Sequence, residues 1–246
     1  MGKMYEVISK AQEENNKNYL EPVRKHSTEI LPVLFKRKEV EHAPAWFKEL
    51  KAKIQIHYNE IKVIMFTGTS NGYGVTTISA GFASSLAKNF ELKVLLIDFN
   101  FKAPGVHKYF DDNSTNIFQD LFSDGKLLGL DVKSRNRGHL YVITCNGFKL
   151  DEVSFLGSEN FDNFLGKIRD KFDYVILDTP PVAISSDSQI FSQKADGVVL
   201  VVESSKTRKQ VAVKARKEIQ AAGAKLLGVV INRRKHYIPK WLYKWL

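Results

Sequence analysis

Residues 66–77 read FTGTSNGYGVTT: a phenylalanine closing an apolar run, three glycines, then a valine and two threonines opening a helical segment. Gly68, Gly72 and Gly74 let the backbone take positive φ and come close to a ligand. The helix starting near Thr76 aims its free N–H groups and positive dipole end at the same place, so the turn is an anion site by geometry. Thr76 would put its hydroxyl on Mg²⁺, as the Ser/Thr of a phosphate loop does. Val75 breaks the pattern, because such loops carry lysine there. Taken alone, the stretch is equally a glycine-rich turn that holds nothing.

The loop joins a strand to a helix, and the same alternation continues to about residue 232. Continuous apolar runs predict strands at 63–66, 94–98, 141–144, 174–178, 198–203 and 227–232. Runs of this kind suit strands covered on both faces, and helices predicted at 77–90, 159–172 and 208–222 supply the cover. The expected fold is α/β: three layers, P-loop NTPase-like, with a mostly parallel sheet and helices on both faces. Ligands in such folds bind beyond the carboxyl ends of the strands.

Two further strands end where that rule directs attention. VLLIDFNFKAP closes one with Asp98, followed by Asn100, and DYVILDTPPV closes another with Asp178 before a Thr-Pro-Pro turn. A lone aspartate after a strand is usually a turn or cap residue. Two of them, on apolar strands that follow a glycine loop, would instead hold Mg²⁺ directly or through water.

The remaining composition sets bounds. The chain has 246 residues, 43% of them hydrophobic, enough for one large domain with a buried core. Its single cysteine, Cys145, excludes an internal disulfide, and no metal-ligand motif accompanies it. The opening residues lack the apolar core of a signal peptide, and no run is long enough to span a bilayer. The expectation is a cytoplasmic protein, peripheral at the inner face of the cell membrane. A net charge of +10 implies attraction to anions: nucleotide, nucleic acid, an acidic partner or anionic lipid.

Three regions are expected. Residues 1–43 form a polar N-terminal arm, partly flexible; 44–236 form the P-loop domain; 237–246 form a basic-aromatic tail. RRKHYIPKWLYKWL, at the end, mixes five Lys/Arg residues with tyrosines and tryptophans and suits a short interfacial helix on anionic membrane or an acidic partner. Packing of the tail on its own domain is the alternative.

These motifs resemble those of the bacterial tyrosine kinases of exopolysaccharide and capsule synthesis, relatives of the MinD/ParA-type P-loop ATPases. The resemblance runs over most of the chain: MYEVISKAQEE, AWFKELKAKIQ, TGTSNGYGVTT, LLIDFNFKAP, LYVITCNG, YVILDTPPV and VVESSKTRKQVAVKARKEIQAAGAKLLGVVINR. It implies ATP or ADP with Mg²⁺ as cofactor, held by Gly68, Ser70, Gly72, Gly74, Thr76 and Thr77. Asp98 would help to activate an attacking tyrosine hydroxyl, and Thr76, Asp98 and Asp178 would serve the metal. Asn232 resembles the residue that reads the adenine edge, or else merely ends its strand.

The departures carry as much information. Val75 stands where the family has lysine, Asn100 replaces the second aspartate of the D-x-D motif, and Lys102 stands where arginine is usual. Phosphoryl transfer rests on such charges, so their loss points to a pseudokinase. Lys102 or a neighbouring subunit's cation would have to supply the charge if activity survives. On the helix before the first strand, Ala45, Lys48 and Lys51 occupy positions that the family uses for ring assembly, without its glutamate. Only Tyr237 and Tyr243 remain as candidate phosphosites in a tail that is tyrosine-rich in active members. The expected function is a regulatory or scaffolding pseudokinase beside a polysaccharide co-polymerase or other export component. A homo-oligomer is a further candidate assembly, although the missing glutamate argues against a charge-paired ring and leaves Lys48 and Lys51 as a solvated face. The alternatives are an active autokinase controlling chain length and a MinD/ParA-like positioning ATPase; no specific nucleic acid is expected.

Overall fold

A computed structural model describes residues 30–32, 45–57, 60–110, 134–135, 139–145, 155–182 and 187–233. The strands are β1 (Ile30–Pro32), β2 (Val63–Gly68), β3 (Val94–Asp98), β4 (Ser134–Arg135), β5 (Leu140–Ile143), β6 (Tyr174–Asp178), β7 (Gly197–Glu203) and β8 (Leu226–Asn232). The helices are α1 (Ala45–His57), α2 (Val75–Phe90), α3 (His107–Phe110), α4 (Glu159–Lys171), α5 (Asp187–Lys194) and α6 (Lys209–Ala221). Among the described residues the strands make one sheet in the order β1-β8-β7-β2-β6-β3-β5-β4, parallel except for β4 against β5.

The expected three layers are present. β2, β3, β6 and β7 are buried along their whole length, as continuous apolar runs require. One face, built from Ile64, Phe66, Leu96, Ile176, Val199 and Val201, packs under α1 and α2. The opposite face, with Val63, Met65, Leu95, Ile97, Val175 and Leu200, packs under α4, α5 and α6. Phe99 centres an aromatic cluster there, its ring 4.6 Å from Phe191 and 5.6 Å from Phe161. The Phe161 pair meets edge to face, at 83°, an arrangement that adds to area burial.

Local chemistry sets several boundaries. Ser158 caps α4, accepting a hydrogen bond from the Phe161 N–H, while Glu159 and Asp162 in the first turn and Arg169 and Lys171 in the last complement the helix dipole. Asp196 accepts from the Lys62 and Val63 N–H groups at 2.9 and 2.7 Å and pins the start of β2. At the other end of the sheet, β2, β3, β6, β7 and β8 terminate together, and that edge carries the site.

β1 falls inside the polar arm and was not visible in the sequence. It pairs in parallel with β8, Ile30 opposite Val229 and Pro32 opposite Ile231. It is an edge strand, where a proline without an N–H is tolerated. The rest of the arm and the tail with Tyr237 and Tyr243 lie outside the described residues.

Candidate functional site

The glycine loop leaves β2 at Gly68 and enters α2 at Val75. Gly72 (φ 76°) and Gly74 (φ 87°) take the left-handed conformation that the turn requires. Gly74 also has no room for a side chain: a Cβ there would lie 2.2 Å from Nδ2 of Asn232. α2 begins with no side-chain cap, so its first N–H groups face the loop unclaimed by a capping residue. Val, Thr, Thr and Ile in the first turn are indifferent helix formers; burial of the helix holds it in place.

The loop's apolar member is turned inward. Val75 is buried, and its Cγ2 is so close to Gly68 that a Cβ there would approach it to 2.8 Å. It forms wall where the usual residue forms charge.

The two aspartates lie side by side at this edge. Asp98 and Asp178 stand opposite each other in the β3–β6 register, so both project toward the α2 face. Asp98 is fully buried; its Oδ1 accepts from the Asn100 N–H at 3.0 Å and its Oδ2 from Gly105 and Val106 at 2.9 and 3.0 Å. Burial raises its pKa, and the Val106, Gly105 and Asn100 amides oppose the rise.

Asp178 is different. Burial, followed by the nearby Asp98 charge, raises its pKa well above the usual carboxylate range, and the Thr76 and Ser79 hydroxyls facing it only moderate the shift. Neither of its oxygens makes a hydrogen bond of ordinary geometry. Two orphaned, buried carboxylate oxygens beside a helix-start hydroxyl and a second carboxylate fit a hard divalent cation. Thr76, Asp98 and Asp178 are the residues that would hold Mg²⁺, which when bound supplies neutralising charge to phosphate oxygens.

A cavity of about 480 Å³ opens over the loop. It is walled by the loop itself (Ser70, Asn71, Gly72, Gly74), by Val75, Thr76 and Thr77 of α2, and by Asn100, Ala103, Tyr109, Thr179, Pro181, Asn232 and Arg233. Every predicted nucleotide-site residue except Gly68 therefore faces one space. Lys102 is exposed and does not line it.

Asn232 is buried at the end of β8, where its Nδ2 donates to the Tyr73 carbonyl at 2.9 Å and its Oδ1 accepts from the Arg233 N–H at 2.8 Å. It braces the loop. The turn after β6 is sewn to the end of β2 in a similar way: Thr179 Oγ1 donates to the Phe66 carbonyl at 3.0 Å, and Thr67 Oγ1 to the Pro180 carbonyl at 2.7 Å.

Three contributors escaped the sequence reading. Tyr109 on α3 shares a 2.6 Å hydrogen bond with Thr77 Oγ1 and so occupies one hydroxyl of the cradle. Glu203, at the end of β7, is buried yet doubly paired, with Lys206 at 2.8 Å and Arg233 at 2.9 Å. Arg233 itself has φ 54°. The adjacent HKYF turn and the position directly after Asn232 were the available signals; neither residue type announces the role.

Sheet order, glycine turn and paired carboxylates together define a P-loop NTPase-like α/β domain. The family model for the AAA domain matches residues 61–221. The chain is 33% identical over 177 residues to the tyrosine-protein kinase YwqD of Bacillus subtilis (strain 168), covering 72% of this chain and 74% of that one. It is 30% identical over 203 residues to the tyrosine-protein kinase CpsD of Streptococcus pneumoniae serotype 4 (strain ATCC BAA-334 / TIGR4), covering 82% and 89%. Among solved structures, the chimerical protein CapA2B2 superposes with a TM-score of 0.73 at 26% identity, covering 91% of this chain and 99% of that one. The chain belongs to the bacterial tyrosine kinase family.

Proposed function

We propose that this chain is a regulatory or scaffolding member of its family, one that binds Mg²⁺-nucleotide and is impaired in phosphoryl transfer. The observation that carries the reading is the buried, apolar Val75 in an otherwise complete cradle. Backbone N–H groups and the Thr76 hydroxyl provide much of what grips phosphates, and these are present, while the Thr77 hydroxyl is shared with Tyr109. The loop lysine that stabilises charge on the transferring group is not, and a contact of that kind is worth on the order of a thousandfold in rate. Asn100 in place of an aspartate acts in the same direction.

The resemblance of the motifs to kinases of exopolysaccharide and capsule synthesis supports a place beside a polysaccharide co-polymerase or another component of that export machinery. Among the described residues no helix is long and apolar enough to cross a membrane. Contact with the inner face of the membrane would fall to the basic-aromatic tail at 237–246.

The test is calorimetric titration of the purified chain with Mg-ADP and a non-hydrolysable ATP analogue, beside Val75→Lys, together with transfer of labelled phosphate from ATP. Wild type is expected to bind in the micromolar range and to incorporate label about a thousandfold more slowly than Val75→Lys carrying Asn100→Asp. Rapid labelling of Tyr237 or Tyr243 in wild type would establish the autokinase reading instead. Binding by the lysine variant alone would remove nucleotide from the mechanism.

A further inference from the structure

We propose that Arg233 supplies the cation that the loop lacks, and that Glu203 holds it beside the cavity until a nucleotide polyphosphate takes it over. This deepens the nucleotide-binding reading and rests on it. Among the described residues lining the cavity, Arg233 is the one with a charged side chain.

Its placement is built. The Arg233 N–H is held by Asn232 Oδ1, and the same amide group reaches across to the Tyr73 carbonyl, so the arginine and the glycine loop hang from one side chain. At φ 54° the backbone is in a conformation that side-chain-bearing residues seldom adopt, and it persists where surroundings over-determine it.

The guanidinium is restrained loosely. Its Nη1 lies 2.9 Å from Oε2 of Glu203, while the arginine side chain is 50% exposed and the glutamate 5%. Half-exposed ion pairs are weak and easily exchanged. A buried carboxylate stripped of its only cation would be costly, yet Glu203 keeps a second one: Lys206 Nζ is 2.8 Å from Oε1. Glu203 can therefore release Arg233 without being left as a bare buried charge. A planar guanidinium on a flexible stem can then make paired hydrogen bonds to phosphate oxygens, which a point charge at position 75 would not.

The ligand class follows from the geometry. An anchor that adds charge to the cavity discriminates by phosphate number, so the effect is graded from AMP to ADP to a triphosphate. The experiment is titration of wild type, Arg233→Ala and Arg233→Lys with AMP, Mg-ADP and a non-hydrolysable ATP analogue, alone and in the Val75→Lys background. Removing the arginine is expected to weaken the triphosphate analogue by about ten- to hundredfold and AMP by less than about threefold. Arg233→Lys is expected to recover part of the loss, and Val75→Lys to make Arg233→Ala nearly silent. AMP binding reports that the variant is folded and its cradle intact. Equal weakening of AMP and triphosphate, or none, overturns the role of Arg233 while leaving nucleotide binding standing. Failure of wild type to bind any of the three overturns both.

Discussion

Replacing Asp178 by asparagine is expected to stabilise the metal-free protein near neutral pH and to remove most of its response to Mg²⁺. Both oxygens of Asp178 are buried with no hydrogen bond of ordinary geometry, only the Thr76 and Ser79 hydroxyls near them, and Asp98 faces them from the next strand. An unmade buried acceptor costs about 1–3 kcal/mol, more when charged. The amide has the same shape and no charge, so a gain of about 1–2 kcal/mol follows, or a rise of about 2–8 °C in Tm for a domain of this size. The pH dependence has a definite sign. Because burial raises the folded pKa, the folded state retains a proton that the unfolded chain gives up near pH 3.9. The group's contribution is thus complete below about pH 4 and is lost as pH rises through the raised folded value. Thermal unfolding of wild type and Asp178→Asn from about pH 5 to 8, with chelator or excess Mg²⁺, reads both effects. Mg²⁺ is expected to lift wild type most at the alkaline end, where the cation replaces no proton. If the variant melts lower than wild type in chelator at the alkaline end, or if Mg²⁺ raises both equally, Asp178 is not an uncompensated carboxylate awaiting a cation.

Gly74→Ala combines a left-handed φ with a Cβ 2.2 Å from Asn232 Nδ2, so it is expected to cost about 1–3 kcal/mol by denaturant titration and to abolish nucleotide binding. Unchanged stability would mean that the loop is not braced through Asn232. Tyr109→Phe frees Thr77 Oγ1 from its 2.6 Å hydrogen bond and is expected to tighten nucleotide binding a few-fold while costing about 1 kcal/mol of stability. Weaker binding in the same titration would make Tyr109 part of the cradle instead of its competitor.

How much of this was legible in the sequence depends on what holds each piece. The central strands showed themselves because burial on both faces demands unbroken apolar runs, and two of those runs end at Asp98 and Asp178, which stand opposite each other in the β3–β6 register. β1 could not be read: three residues in a polar arm are held by backbone pairing with β8, and that pairing carries no side-chain pattern. α5, DSQIFSQK, went unseen because it presents Phe191 among serines, with Ser192 spending its hydroxyl on the Ser188 carbonyl. The brace from Asn232 to Tyr73 joins residues 159 apart, and nothing local marks it. Arg233 was hidden for a related reason, since a positive φ is announced by glycine or asparagine and not by arginine.

The two departures from the family pattern also bear on each other. Valine for lysine at 75 removes one positive charge, and asparagine for aspartate at 100 removes one negative charge. The net charge around the loop is therefore what the family's pattern would give, while its arrangement differs. Attraction of a magnesium-bound nucleotide depends largely on net charge and on backbone donors, both of which survive. Acceleration of phosphoryl transfer depends on donors aimed at one developing charge, which does not survive rearrangement. Loss of lysine alone would leave three carboxylates against the polyphosphate. On the reading proposed above, its pairing with the loss of one carboxylate keeps the charge balance that binding needs while removing a donor that transfer needs, and the proposed cation would come from Arg233, directly after β8.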